Sequence, residues 1–160
     1  MSMESMVAWL QEPARRLHAM IREVPGLASL HHLSLSVYCA QHDTLWAFPC
    51  NSDDKGPPEI TEIRMTDVPS LVLLADETTP RIVADMAAFG GEGRYHTSKA
   101  RASESRSCMT APINIEGRFL GFVTYGAAVP NFFSSAAQDT LRTFTEAFGI
   151  LIERSSQLSD

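Results

Sequence analysis

The chain opens with apolar residues at helical spacing. Met6, Val7, Leu10, Ala14, Leu17, Met20, Ile21 and Val24 predict an amphipathic helix over residues 5–24, which Pro13 either interrupts or restarts. Val24-Pro25-Gly26 ends it, because the residue before proline avoids the helical region and glycine permits a turn. The period then drops to two. Leu33, Leu35, Val37 and Cys39 alternate with Ser34, Ser36 and Tyr38, predicting a strand with one apolar face and one small, polar face. "TLWAFPC" (44–50) predicts the partner strand, in a hairpin centred on His42 that sets Cys39 near Leu45 and Cys50 near Ser34. That register separates Cys39 from Cys50 by roughly 16 Å, too far for a disulfide.

Residues 51–60 read as a loop from their Asp, Gly and Pro content. A short strand over 59–67 and a short helix over 68–78, with Pro69 in its first turn, follow. "PRIVADM" (80–86) predicts a strand ending at Asp85, a natural helix cap, and 88–106 a loop holding a short helix near 95–102. Residues 107–126, "SCMTAPINIEGRFLGFVTYG", predict a hairpin about Glu116-Gly117 in which neither face is cleanly polar. Simple alternation puts Met109, Ala111, Ile113, Phe119 and Val123 on one face and Cys108, Thr110, Pro112, Leu120 and Phe122 on the other. Such a hairpin must be covered on both sides. Leu141, Phe144, Phe148, Leu151 and Ile152 then mark a last helix to about Ser155, with Ser135 and Gln138 in capping-box spacing at its start.

At 160 residues, 44% hydrophobic and 20% charged, the chain suits one folded domain over residues 1–160, without internal repeats. A formal net charge of −6 gives no electrostatic reason to expect nucleic acid as a partner. No apolar run approaches the length of a membrane span and no secretory signal is evident, so the expected location is cytoplasmic, without membrane insertion. Three cysteines (Cys39, Cys50, Cys108) without CxxC spacing argue against a disulfide framework or a zinc site, and read as small buried hydrophobes.

The stretch "SRSCMTAPINIEGRFLGFVTYGAAVPNFFSSAAQDTLRTFTEAFGILIE" resembles the C-terminal half of a GAF domain. Ser107, Ala111-Pro112, Glu116-Gly117, Leu120-Gly121-Phe122-Val123 and Phe133-Ser134 stand where that family has its serine-led strand, apolar-Pro pair, polar turn, second strand and helix start. "PRIVADM" is similar to the family's middle strand, and "LSLSVYCAQHDTLWAF" to its first hairpin; the resemblance covers about residues 5–156. It implies an α+β, PAS/profilin-like fold with an antiparallel sheet of five to six strands. Terminal helices would cover one face, and a lid of loops and short helices within 50–106 would cover a ligand pocket on the other.

The resemblance implies a pocket floored by Ser36, Tyr38, Trp46 and Phe48 from the first hairpin and by Thr110 and Phe122 from the last, with Tyr95, His96 and Arg106 from the loop side. Small hydroxyls among aromatic rings suit a small ligand held by apolar enclosure and a few hydrogen bonds. No cofactor is assigned. Asn131, Phe133 and Asp139 lack the Lys and Asp-Glu pair of cyclic-nucleotide-binding relatives, and Cys108 is not followed by His as in bilin-binding ones. His31, His32, His42 and His96 stand as isolated histidines rather than a defined haem ligand.

The function implied is a small-molecule-sensing regulatory domain of a bacterial signalling protein, first a sensor histidine kinase, with no catalysis of its own. Its ligand is unidentified, a homodimer is expected through the terminal helices, and the last helix would continue into an output domain. Two alternatives stand beside it. One is a free methionine-(R)-sulfoxide reductase-like enzyme, although the closest cysteine pair here lies early in the chain. The other is a degenerate GAF dimerisation module whose pocket is filled by its own Trp46, Phe48 and Tyr95.

Overall fold

A computed structural model describes residues 2–89 and 105–158. Helix α1 (Met3–Glu23) begins where the Ser2 hydroxyl accepts a hydrogen bond from the Ser5 N–H, and it runs unbroken through Pro13. Its buried stripe is Val7, Leu10, Ala14, His18 and Ile21. Strands β1 (His32–Cys39), β2 (Thr44–Pro49) and β3 (Thr61–Arg64) follow, then a short 3₁₀ turn (Met65–Asp67) and α2 (Pro69–Ala75). Next come β4 (Arg81–Val83), α3 (Met86–Phe89), β5 (Ser107–Ile115), β6 (Arg118–Ala127) and α4 (Ser135–Gln157). The cap of α4 is Ser134, one residue before the predicted one. Its hydroxyl accepts from the Ala137 N–H, and Gln138 reaches back to the Phe133 carbonyl.

The six strands form one antiparallel sheet in the order β3-β2-β1-β6-β5-β4. The fold is α+β, as the resemblance implied. Helices α1 and α4 cover one face, where Leu33, Leu35, Val37, Phe48, Met109, Ile113, Val123 and Tyr125 join the buried helix stripes in one cluster. A hydroxyl chain ties α4 to this face: Tyr125 lies 2.9 Å from Thr145 Oγ1, which donates to the Leu141 carbonyl. Among the described residues no helix is long and apolar enough to cross a membrane.

Two irregularities set which side chains face which way. The β1–β2 hairpin closes on a four-residue loop, Ala40 to Asp43, with Asp43 at φ 53°. Its register pairs Cys39 with Thr44 and Leu35 with Phe48, one residue away from the predicted hairpin about His42. Because strand side chains alternate, that single step reverses every β2 residue relative to β1. In β6, Leu120 is an extra residue: Ile113 pairs with Gly121 but Asn114 with Phe119. The bulge returns Phe119 to the face of Phe122 and sends Leu120 to the helix side, the opposite of the simple alternation. The β5–β6 turn is as predicted, with Glu116 and Gly117 both at positive φ, which matches the twist of the flanking strands.

The three cysteines are free, Cys50 and Cys108 buried and Cys39 half-buried. Cys50 follows β2 and its N–H donates to the Leu33 carbonyl, far along the hairpin from Cys39.

Candidate ligand-binding site

The sheet face opposite α1 and α4 carries a cavity of about 240 Å³. Its floor comes from the alternate residues that β1, β6 and β5 turn away from the helices. Ser34 pairs with Thr124 and Thr124 with Thr110, so three hydroxyl side chains stand in a row across three strands. Ser36 and Phe122 form the next row, and His32, Gly126 and Cys108 the row on the other side. Leu45 and Ile63 rise at one wall, and Val68 and Leu71 close over from the segment after β3. The Ser34 and Ser36 hydroxyls hydrogen-bond to no described group, while Thr110 and Thr124 lie 3.4 Å from each other. Polar groups that face an otherwise apolar hollow without partners leave bonding capacity for a guest.

Of the residues predicted from sequence, Ser36, Thr110 and Phe122 border this cavity with side chains on its face. Phe48 touches its rim, but its cross-strand partner is Leu35 and its ring belongs to the helix-side core. Trp46 pairs with Val37 and also packs on the helix side, so it is no part of the floor. Both misplacements follow from the one-residue register difference. Tyr38 is on the cavity's face but beyond its end: its hydroxyl donates to Asp43 Oδ1 at 2.6 Å and its ring packs on Phe119. Arg106 does not reach the cavity. Its guanidinium pairs with Asp85 at 3.2 Å and its carbonyl accepts from the Met86 N–H, so it clamps together the stems of the 88–106 segment. Tyr95 and His96 lie outside the described residues.

Residues 51–56, expected within the lid, turn the other way. The Ser52 N–H donates to His18 Nδ1, and Gln11 and Arg15 of α1 both donate to the Gly56 carbonyl. The cover therefore begins at β3. Ser34 and Thr124 escaped the sequence-based choice, although each is two residues from a chosen position or partner on the same strand face, and the spacing alone would have found them.

Cys108 is the thiol in the cavity wall. Burial pushes its pKa up, against the smaller opposing effect of the Arg81 charge, and its Sγ lies 3.7 Å from Met86 Sδ. Burial also raises the pKa of the Cys50 thiol, which lies in the helix-side core. Neither is poised as a thiolate.

No protein-family model and no curated protein sequence matches the chain. Solved structures do. The GAF domain of PixJ from Thermosynechococcus elongatus, in its blue-light-absorbing form, superposes with a TM-score of 0.67 at 15% identity, over 97% of this chain and 91% of that one. A GAF domain/HD domain protein from Geobacter sulfurreducens gives 0.64 at 12% identity, over 98% and 99%. A type II free methionine-R-sulfoxide reductase from Thermoplasma acidophilum gives 0.60 at 17% identity, over 91% and 95%. The sheet, its flanking helices and the cavity thus define a protein of the GAF fold. Proteins sharing it include a blue-light-absorbing GAF domain and a methyl-accepting chemotaxis protein as well as a reductase.

Proposed function

We propose that this chain is a small-molecule-sensing GAF module of a bacterial signal-transduction protein, with a sensor histidine kinase as the first candidate parent. The observation that carries this reading is the cavity: a row of serine and threonine hydroxyls, two of them without described partners, under an apolar cover. Residues 1–160 would act as one unit, with the ligand beneath the segment after β3 and the output on the opposite face. Thr124 of the cavity and Tyr125, whose hydroxyl holds α4, are neighbours on β6, so a ligand drawing on the first acts beside the anchor of the second. Ile150 is 62% exposed on α4 and Met20 54% exposed on α1, apolar groups that a homodimer pairing the terminal helices would cover. A ligand would shift the arrangement of those helices only by its difference in affinity for two states.

The test is a thermal-shift screen of the purified chain against cyclic nucleotides, amino acids, organic acids, methionine sulfoxide and small anions, with native mass measured in parallel. A ligand at 100 times its dissociation constant is expected to stabilise the fold by about 2.7 kcal/mol, a shift of several degrees. Silence across the whole screen with a dimeric mass would replace the sensor reading with a dimerisation module.

The likeness to the reductase, together with the Cys108 thiol in the cavity wall, favours one second reading, turnover of free methionine sulfoxide. Such chemistry requires a thiolate and a resolving thiol. The raised pKa values of Cys108 and Cys50 weigh against it. Reduction of methionine-(R)-sulfoxide that is lost in Cys108→Ser would establish it.

A further inference from the structure

We infer that the cavity takes an elongated molecule with a hydrogen-bonding group at each end, lying along β1 with one end at Ser34 and the other at Ser36; this rests on the ligand-binding reading above. Size sets the first limit. A volume of about 240 Å³ matches about eight waters at ~30 Å³ each, so the guest has roughly eight to ten non-hydrogen atoms.

The shape of the floor sets the second. On its cavity face β1 carries His32, Ser34, Ser36 and Tyr38 in turn. His32 lines one end, and Tyr38, its hydroxyl bonded to Asp43, stands beyond the other. Between those two rings the strand offers only the two small serines, and the β2 neighbour of Ser36 is Ala47. The floor is therefore a trough along β1, with Phe122 beside Ser36 and the apolar cover of Val68 and Leu71 above.

The placing of hydroxyls sets the third. Ser34 and Ser36 are two residues apart on one face, about 7 Å at the usual rise. Each belongs to a polar row across the sheet. Thr61, Ala47 and Ser36 follow one another across β3, β2 and β1, and Ser34, Thr124 and Thr110 across β1, β6 and β5. Hydroxyls thus meet a guest at both ends rather than at one. Neither serine bonds to a described group, whereas Thr110 and Thr124 lie 3.4 Å from each other. A serine hydroxyl both donates and accepts, so hydroxyl, amide and carbonyl groups all suit it. A guest polar at one end only would leave the other serine unmet beneath the cover.

The three isomers of hydroxybenzamide share one composition and differ in the separation of their polar groups, greatest in the para isomer and least in the ortho. They are titrated beside unsubstituted benzamide, by thermal shift and calorimetry. The para isomer is expected to bind roughly tenfold or more tighter than the ortho isomer and than benzamide, with the meta isomer between. Ser34→Ala and Ser36→Ala, each alone, are expected to cut the para advantage over benzamide to within about threefold. Benzamide itself, left with the remaining serine, should change by less than about threefold in either variant. The inference is overturned if the isomers bind equally, a comparison made in the wild type and independent of how the variants fold. It is also overturned if the para advantage survives in both folded variants, or if all the probes are silent while the broad screen finds a ligand of other chemistry. That last result leaves the sensing reading standing, and silence in both experiments removes both.

Discussion

Gly121→Ala is expected to destabilise the protein by about 4 kcal/mol or more, most of the stability of a domain at the low end of the ordinary range. Gly121 lies on β6 opposite Val37 of β1, at the junction of the two central strands and directly after the Leu120 bulge. Its φ of +145° is one that side-chain-bearing residues rarely adopt. A β-carbon there would sit 1.9 Å from the Ser36 carbonyl oxygen. That oxygen is backbone in the middle of the sheet, so relief would require β1 and β6 to part, and the cavity floor would part with them. Gly117→Ala is the control. It is also at positive φ, +79°, but nothing lies within 4 Å of the added carbon, so only backbone strain of about 1 kcal/mol is expected. Equilibrium urea unfolding of both variants measures the contrast. A Gly121→Ala midpoint equal to that of Gly117→Ala would mean that the strands separate at little cost.

The second large effect is at His18, buried on α1 with 1% exposure. Its Nε2 lies 2.8 Å from the Leu30 carbonyl, and its Nδ1 lies 2.8 Å from the Ser52 N–H that donates to it. The two partners fix the neutral ring with its proton on Nε2. Protonation at Nδ1 would set two N–H groups against each other. His18→Ala removes both bonds and leaves two backbone groups unmet as well as a cavity, at a cost of about 3 kcal/mol.

The pH dependence has a definite sign. Burial holds the folded-state pKa of His18 below its ordinary 6.5, outweighing the hydrogen bond to Leu30, which acts in the other direction. Above 6.5 the ring is neutral in folded and unfolded chains alike, and its full contribution is present. As pH falls below that value the unfolded chain takes up the proton first, so stability drops until the folded-state pKa is passed. Between pH about 7.5 and about 5.5 the wild type should therefore lose more stability than His18→Gln, which keeps a donor toward Leu30 but does not titrate. The two proteins differ only at residue 18, so contributions common to both drop out of the difference. Parallel losses in the two proteins would exclude His18 as the acid-sensitive clip.

Residues 107–127 carried most of the fold in their sequence. A two-residue Glu-Gly turn sets its register, and two apolar strand faces demand cover on both sides. The β1 alternation likewise gave the correct split, Leu33, Leu35 and Val37 toward the helices and Ser34 and Ser36 away. The β1–β2 hairpin was not legible to the same depth. Ala40-Gln41-His42-Asp43 has no strong turn signature, and the difference between a loop centred on His42 and a four-residue loop ending at a left-handed Asp43 moves Trp46 and Phe48 across the sheet. The Leu120 bulge is invisible to a period-two pattern for the same reason, since one extra residue reverses what alternation assigns to Phe119. His18 was hidden because a histidine in an apolar stripe is not counted as apolar, although it stands four residues after Ala14 and three before Ile21. The resemblance put Arg106 on the loop side of the pocket, and only the fold shows that Asp85 faces it.

The central claim is that the hydroxyl-floored cavity binds the ligand. The most direct measurement is calorimetric titration of the tightest compound from the screen into the wild type and into Ser36→Leu, which places a larger apolar side chain on the cavity floor. Ser36→Leu should unfold at an unchanged or higher temperature without ligand, since it fills space, and should bind about tenfold more weakly or not at all. An unchanged affinity in a correctly folded Ser36→Leu would contradict the claim and place the ligand elsewhere on the molecule.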